Sequence, residues 1–163
     1  MQIMARSYGY PELLEQLRGK KVYMWTCNTC ARICGVGGDA NARSLGERLA
    51  ADGIDIVGYG STGASCIASN IRKCQTPEIE DCGIVLSLTC GIGAELCGRI
   101  SGKEVLNPVS TLGTGYRDDG KVCWIMHTDG SGDVPLPEEA ARRGLPPGPY
   151  RGGPGRRAAL PLL

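Results

Sequence analysis

Three cysteines fall within eight residues, Cys27-Asn28-Thr29-Cys30-Ala31-Arg32-Ile33-Cys34, in the spacing C-x2-C-x3-C. Thiolates bind soft metals, and one short loop bearing three of them can wrap a single metal centre. Gly35, Gly37 and Gly38 follow at once, and glycine lets backbone N–H groups come close to sulfur. The spacing alone does not separate iron–sulfur from zinc. It matches neither the C-x2-C-x2-C run of bacterial ferredoxins nor a paired C-x2-C zinc ribbon.

The elements that must position these thiols read as strand, loop and helix in alternation. Residues 10–17 give a short amphipathic helix with Pro11 in its first turn, Leu13, Leu14 and Leu17 on one face, and Gly19 as its stop. Residues 21–25 are a first strand, and the Cys loop follows directly. Ala42, Leu45 and Leu49 fall at helical steps over 39–52, with Gly53 as terminator. Residues 54–57 are a second strand, followed by a glycine-rich loop from Gly58 to Gly63 that closes on Cys66. A third helix is expected over 66–74. Gly83 to Leu88 is the most apolar strand and runs into Cys90-Gly91-Ile92-Gly93, then a helix over 94–100 and a short strand near Val105 and Leu106.

This alternation predicts an α/β domain with a mostly parallel sheet, and the continuous apolar run at 84–88 suits a strand buried on both faces. Right-handed crossovers put every strand-to-helix loop on one edge of such a sheet. Cys27, Cys30 and Cys34 follow strand one, Cys66 follows strand two and Cys90 follows strand three. All five are therefore expected at the carboxyl edge, where open α/β sheets bind ligands. A cubane cluster needs four protein thiolates, so one of the five is spare. The glycines beside the sulfurs, Gly35, Gly37, Gly91 and Gly93, are the expected sources of N–H groups that tune such a centre.

Other residues carry weaker signals. Cys74, Cys82, Cys97 and Cys123 fall within or beside expected elements and read as core packing. His127, the one histidine, reads as a surface or capping residue, and its isolation leaves no Ser-His-Asp or Cys-His arrangement to build. Asp118-Asp119-Gly120 reads as a turn. Gly58-x-Gly60-x-x-Gly63 follows a strand and matches a dinucleotide fingerprint, but no acidic residue ends a strand about twenty residues later.

The chain has 163 residues, 25 glycines, nine cysteines and a formal charge of +1. That length allows one domain with a real core. Near-neutral charge gives no electrostatic reason to expect nucleic acid or an anionic membrane as partner. No apolar run approaches the ~20 residues that cross a bilayer, and the first residues lack the pattern of a secretory signal, so the cytoplasm is the expected location. A cytosolic chain this rich in cysteine more often binds metal than forms disulfides. Residues 122–126 read as one more strand, antiparallel at the sheet edge. The expected division is an α/β iron–sulfur domain over 1–128 and a Pro/Gly-rich arm over 129–163, flexible or laid along a partner.

The run Lys20-Lys21-Val22-Tyr23 leading into Cys27-x-x-Cys30-Ala31-x-x-Cys34-x-x-Gly37-Gly38 resembles the small iron–sulfur companion subunit of bacterial methylenetetrahydrofolate reductases, the methylenetetrahydrofolate reductase C-terminal domain family. Cys66, Cys90-Gly91-x-Gly93, the strand end from Gly53 to Gly58 and Asn107-Pro108-Val109-x-Thr111-Leu112-Gly113 extend the resemblance over about residues 10–115. Longer members carry a second Cys-rich segment near their C-terminus. Here no cysteine follows Cys123, so the chain resembles a shortened form with one centre.

The resemblance implies a Rossmann-like three-layer fold and a 4Fe-4S cluster drawing its ligands from Cys27, Cys30, Cys34, Cys66 and Cys90. It implies a non-catalytic subunit that serves electron transfer to, or assembly of, a flavin-containing methylenetetrahydrofolate reductase in one-carbon metabolism. The alternatives are a structural zinc-binding partner module, an accessory subunit of another anaerobic redox complex, or an enzyme whose open cluster binds substrate.

Overall fold

The computed structural model describes residues 1–146, 148 and 150. Its elements are β1 (Gln2–Arg6), α1 (Tyr10–Leu17), β2 (Lys21–Cys27), α2 (Cys30–Ile33), α3 (Asp39–Ala51), β3 (Asp55–Thr62), α4 (Ala68–Cys74), a 3-10 turn (Pro77–Asp81), β4 (Ile84–Leu88), α5 (Gly91–Ser101), β5 (Val105–Leu106), β6 (Val109–Arg117), β7 (Cys123–Ile125), β8 (Val134–Pro135) and α6 (Leu136–Arg142).

Two sheets share the molecule. One is wholly parallel with order β3-β2-β4-β5, and the other is antiparallel with order β1-β6-β7-β8. In the parallel sheet β2 is central and buried on both faces. Val22 and Met24 point to the face covered by α1 and α3, where Leu13, Leu17, Ala42, Leu45 and Leu49 pack with Ile84, Leu86 and Leu88. Tyr23 and Trp25 point the opposite way, onto Ile71 of α4, Ile79, Val85 and Cys97 of α5. The period-two alternation of strands thus feeds two apolar layers, each large side chain contributing about 1.5–3 kcal/mol on burial. This is the expected mixed α/β architecture with a parallel sheet.

The strand β3 runs five residues further than its apolar run indicates, because Gly58 and Gly60 of the fingerprint lie inside it. A Cβ at Gly60 would stand 2.5 Å from the Tyr23 hydroxyl and 2.6 Å from the Trp25 ring, and one at Gly58 would stand 3.0 Å from Tyr23. These glycines make room for two large rings across a strand pair, so the fingerprint is not a phosphate loop here.

The antiparallel sheet is the larger difference from expectation. Residues 122–126 do supply an antiparallel strand, but it pairs with β6 and β8 rather than with the parallel sheet. Gly115 allows this: any Cβ there would overlap the Trp124 carbonyl oxygen. The tight β6–β7 turn is held by Asp118, whose carboxylate accepts the Val122 N–H at 2.8 Å and the Trp124 indole N–H at 2.8 Å. Part of the arm expected from 129 is ordered. β8 and α6 cap the second core, with Ala140 and Leu136 against Ile3, Leu112 and Ile125. Tyr150 is buried in the first core and its hydroxyl donates to the Tyr8 carbonyl at 2.9 Å. Residues 151–163 of that arm lie outside the described residues.

Candidate metal centre

The strand order reverses at β2: the chain leaves β2 for β3 through α3 on one face, then passes to β4 through α4 on the other. Such a reversal opens a crevice between the carboxyl ends of the two neighbouring strands. Thr26 pairs in register with Leu88, so Cys27 ends one wall of the crevice and Thr89-Cys90 ends the other.

The Cys loop is folded by its own backbone and two asparagines. The Cys34 N–H donates to the Cys30 carbonyl at 2.9 Å, closing the single turn of α2, so Cys30 and Cys34, four residues apart, share one face. The loop then returns to the sheet through Gly37, where a Cβ would stand 2.5 Å from the Leu88 carbonyl oxygen. Gly38, at φ +90°, donates its N–H to Thr26 Oγ1 at 2.7 Å. The Asn28 side chain accepts the Asp39 N–H at 3.0 Å and caps α3, while Asn41 Nδ2 donates to the Gly37 carbonyl at 2.8 Å. Two further bonds tie the loop to the end of β3: the Asn28 N–H donates to the Thr62 carbonyl at 2.8 Å, and the Thr29 hydroxyl donates to the Gly63 carbonyl.

Cys27, Cys30, Cys34 and Cys90 all pack into the first core. The Cys27 thiol is buried and donates to the Gly63 carbonyl at 3.6 Å. Cys90 is the residue that caps α5. Burial raises its thiol pKa, the N–H groups of Gly93 and Ile92 oppose the rise, and the sulfurs of Cys27 and Cys30 add to it by charge repulsion. Cys27 and Cys90 thus stand at the carboxyl ends of two neighbouring strands, β2 and β4.

Cys34 is placed differently. Its thiol donates to the Gln2 carbonyl of β1 at 3.6 Å and packs into the second core as well as the first. Burial pushes its pKa up to about 12, and the charge of the Cys123 sulfur is the next cause. Cys34 also lines an apolar cavity of about 380 Å³ between β1 and α6, with Met4, Val36, Leu136 and Ala140. A wider cleft, about 760 Å³, lies elsewhere, along α5 and β5 beside Glu95, Arg99 and Lys103.

Cys66 stands apart. It is exposed on the turn before α4, while its neighbour Ser65 is buried and accepts the Trp25 indole N–H at 3.2 Å. Of the four glycines expected to serve sulfur, three donate elsewhere: Gly35 to the Arg32 carbonyl, Gly37 to the Ala31 carbonyl and Gly91 to Thr111 Oγ1 at 2.9 Å. The Gly93 N–H, in the first turn of α5, acts to lower the Cys90 thiol pKa, although the Cys90 side chain makes no cap hydrogen bond. Cys74, Cys82 and Cys97 pack in the second-face core, as expected.

Cys123 was legible in the sequence only as a core residue. It is buried, and its thiol donates to the Ile33 carbonyl, inside the Cys loop, at 3.7 Å. No local spacing announces a neighbour some ninety residues away.

A thiol-only donor set suits a soft metal, and the N-terminus of an eleven-residue helix favours a thiolate at Cys90. Among the described residues, no group of three or more His, Cys, Asp or Glu side chains is already arranged to hold a metal ion. No helix among the described residues is long and apolar enough to cross a membrane. No family model, no curated protein and no solved structure matches this chain.

Proposed function

We propose that this chain is a metal–thiolate subunit carrying an iron–sulfur centre, on a Rossmann-like α/β frame. What supports the reading is the placement of the Cys27–Cys34 loop and of Cys90 at the carboxyl ends of the neighbouring strands β2 and β4, where the strand order reverses. Residues brought together from the ends of different strands are what a ligand site at a switch point requires. When bound, such a centre supplies one-electron chemistry or a cross-link between loops. The protein's own residues would bind the metal through thiolates, keep water from it with the apolar side chains around Cys27, and stabilise charge at Cys90 through the first turn of α5.

The subunit would act in electron transfer to, or assembly of, a flavoprotein oxidoreductase in the cytoplasm. A methylenetetrahydrofolate reductase is the partner favoured by the resemblance of the Cys-Gly motifs. The catalytic flavin would reside in that partner, and this chain would have no active site of its own.

The test is iron, zinc and acid-labile sulfide analysis of anaerobically purified protein. About four iron and four sulfide per chain is the expected result. Zinc without sulfide would replace electron transfer with a structural role. Neither metal nor sulfide after reconstitution would overturn the reading.

A further inference from the structure

We propose that the free edge of β3 is a self-association surface, on which a second copy of this chain pairs about a two-fold axis and joins the two parallel sheets into one. This goes beyond the metal reading and does not depend on it.

β3 is an outer strand of the parallel sheet and, at eight residues, its longest. The Asn28 N–H donates to the Thr62 carbonyl, so the backbone groups of Thr62, and by strand alternation those of Gly60 and Gly58, face β2. Those of Tyr59 and Ser61 face away. Among the described residues no strand or loop bonds them on that side.

An open edge is a template for another chain, and proteins blunt the edges they do not use. The other three edges here are blunted. β5 and β8 have two residues each, and β8 ends in Pro135. β1 lies against the Cys loop and α6, with the Cys34 thiol on the Gln2 carbonyl and Ala140 beside Ala5. β3 has one such device, a bulge at Val57, where Ile56 pairs with Val22 and Gly58 with Tyr23. Past the bulge, Gly58–Thr62 carries neither proline nor charge.

The charges of α3 point to a second copy as the occupant. α3 packs against both β2 and β3. Arg43 stacks over the Tyr59 ring at 5.4 Å, and a Cβ at Gly46 would fall on the Tyr59 hydroxyl, so this turn of the helix lies above the open edge. Arg43 and Glu47 are both exposed and four residues apart, yet neither forms an ion pair among the described residues. A two-fold axis beside Tyr59 would set the two α3 helices antiparallel on one face of the joined sheet, about 10 Å apart. Arg43 of each copy then stands beside Glu47 of the other. Opposite charges at mirrored positions about Leu45 make the surface complementary to itself, as a two-fold contact requires.

The test is sedimentation velocity of the full chain over a concentration series at low salt, kept reduced so that the exposed Cys66 cannot cross-link. The variants are Arg43→Glu, Glu47→Arg, the two together and, as an exposed reversal on α1, Arg18→Glu. Wild type should show a species of about 34 kDa, twice the 17.2 kDa chain. Each single reversal turns two attractive pairs into two repulsive ones and should weaken the dimer at least about ten-fold. The double variant restores both pairs and should return to within about three-fold of wild type. Arg18→Glu should match wild type. Amide hydrogen exchange over residues 58–62 should slow as concentration rises.

A wild-type chain that stays monomeric up to its solubility limit would overturn the inference. So would a dimer indifferent to the single reversals, a double variant no tighter than the singles, or an Arg18→Glu effect as large as that of Arg43→Glu. Exchange at 58–62 that ignores concentration would place any dimer contact elsewhere and refute the edge. Iron and sulfide content is read separately, so none of these results bears on the metal centre.

Discussion

The indole N–H of Trp25 donates to Ser65 Oγ at 3.2 Å, joining the middle of β2 to the turn that carries Cys66. Both residues are buried, so no water is at hand to replace the hydroxyl. Ser65→Ala should cost about 1–3 kcal/mol, the penalty of leaving one buried donor unpaired. Urea denaturation followed by Trp fluorescence measures it, and an unchanged midpoint would show that Trp25 finds another acceptor.

Gly60→Ala tests the account of the fingerprint. A methyl group there presses on Tyr23 and Trp25, two rings held in a packed core. The expected loss is about 1–3 kcal/mol, from overpacking. Gly63→Ala is the control, since nothing lies within 4 Å of its Cβ position, and it should fall within about 0.5 kcal/mol of wild type. Equal effects at the two sites would contradict the packing explanation.

Metal content should follow the crevice. Cys27→Ala and Cys90→Ala are each expected to lose most bound metal, whereas Cys97→Ala, buried on the far face among Tyr23, Trp25 and Ile71, keeps it. Elemental analysis of anaerobically purified variants reads this directly. Full metal content in Cys27→Ala would end the case for a centre at the carboxyl edge.

Alkaline stability should depend on Cys97. Burial pushes its thiol pKa from the ordinary 9.0 up to about 12, with the sulfur of Cys82 adding to the rise. The folded state therefore holds a proton that the unfolded chain gives up first. Its contribution is complete below pH 9 and is lost as pH climbs from 9 to 12, with a slope of at most about 1.4 kcal/mol per pH unit. Urea midpoints taken from pH 8 to 11 should fall more steeply in wild type than in Cys97→Ala. Parallel curves would refute the shift.

How far the sequence could be read depended on the range of the contacts. The parallel sheet rests on local signals: the unbroken apolar run of 84–88, the helical steps of Ala42, Leu45 and Leu49, and glycine stops at Gly19 and Gly53. The placement of Cys27 and Cys90 at the ends of neighbouring strands β2 and β4 followed from chain topology, since crossovers of one hand leave little freedom in where loops emerge. The antiparallel sheet had no such signal. β1 pairs with residues more than a hundred positions away, and β6 contains Gly113 and Gly115, which local propensity reads as turn rather than strand. Glycine misled in the same way at Gly58 and Gly60, where a missing side chain is a packing choice. α6 was hidden by the glycines and prolines around it, although Pro137 suits a first turn and Glu139 pairs with Arg142 and Arg143. Cys66 follows its strand as expected, but which way a loop residue faces is set by its neighbour, Ser65, and that is not written in spacing.

Cys34 packs into both cores at once. That makes it the point at which chemical ageing would do most harm. Oxidation of this sulfur to a sulfinic acid is irreversible without a dedicated repair enzyme, and it sets a charge where two apolar interiors meet. The same lesion at Cys66 would sit in water and disturb neither. Burial and a pKa raised to about 12 keep this sulfur protonated and slow to oxidise, so the fold shelters the position where the lesion would cost most.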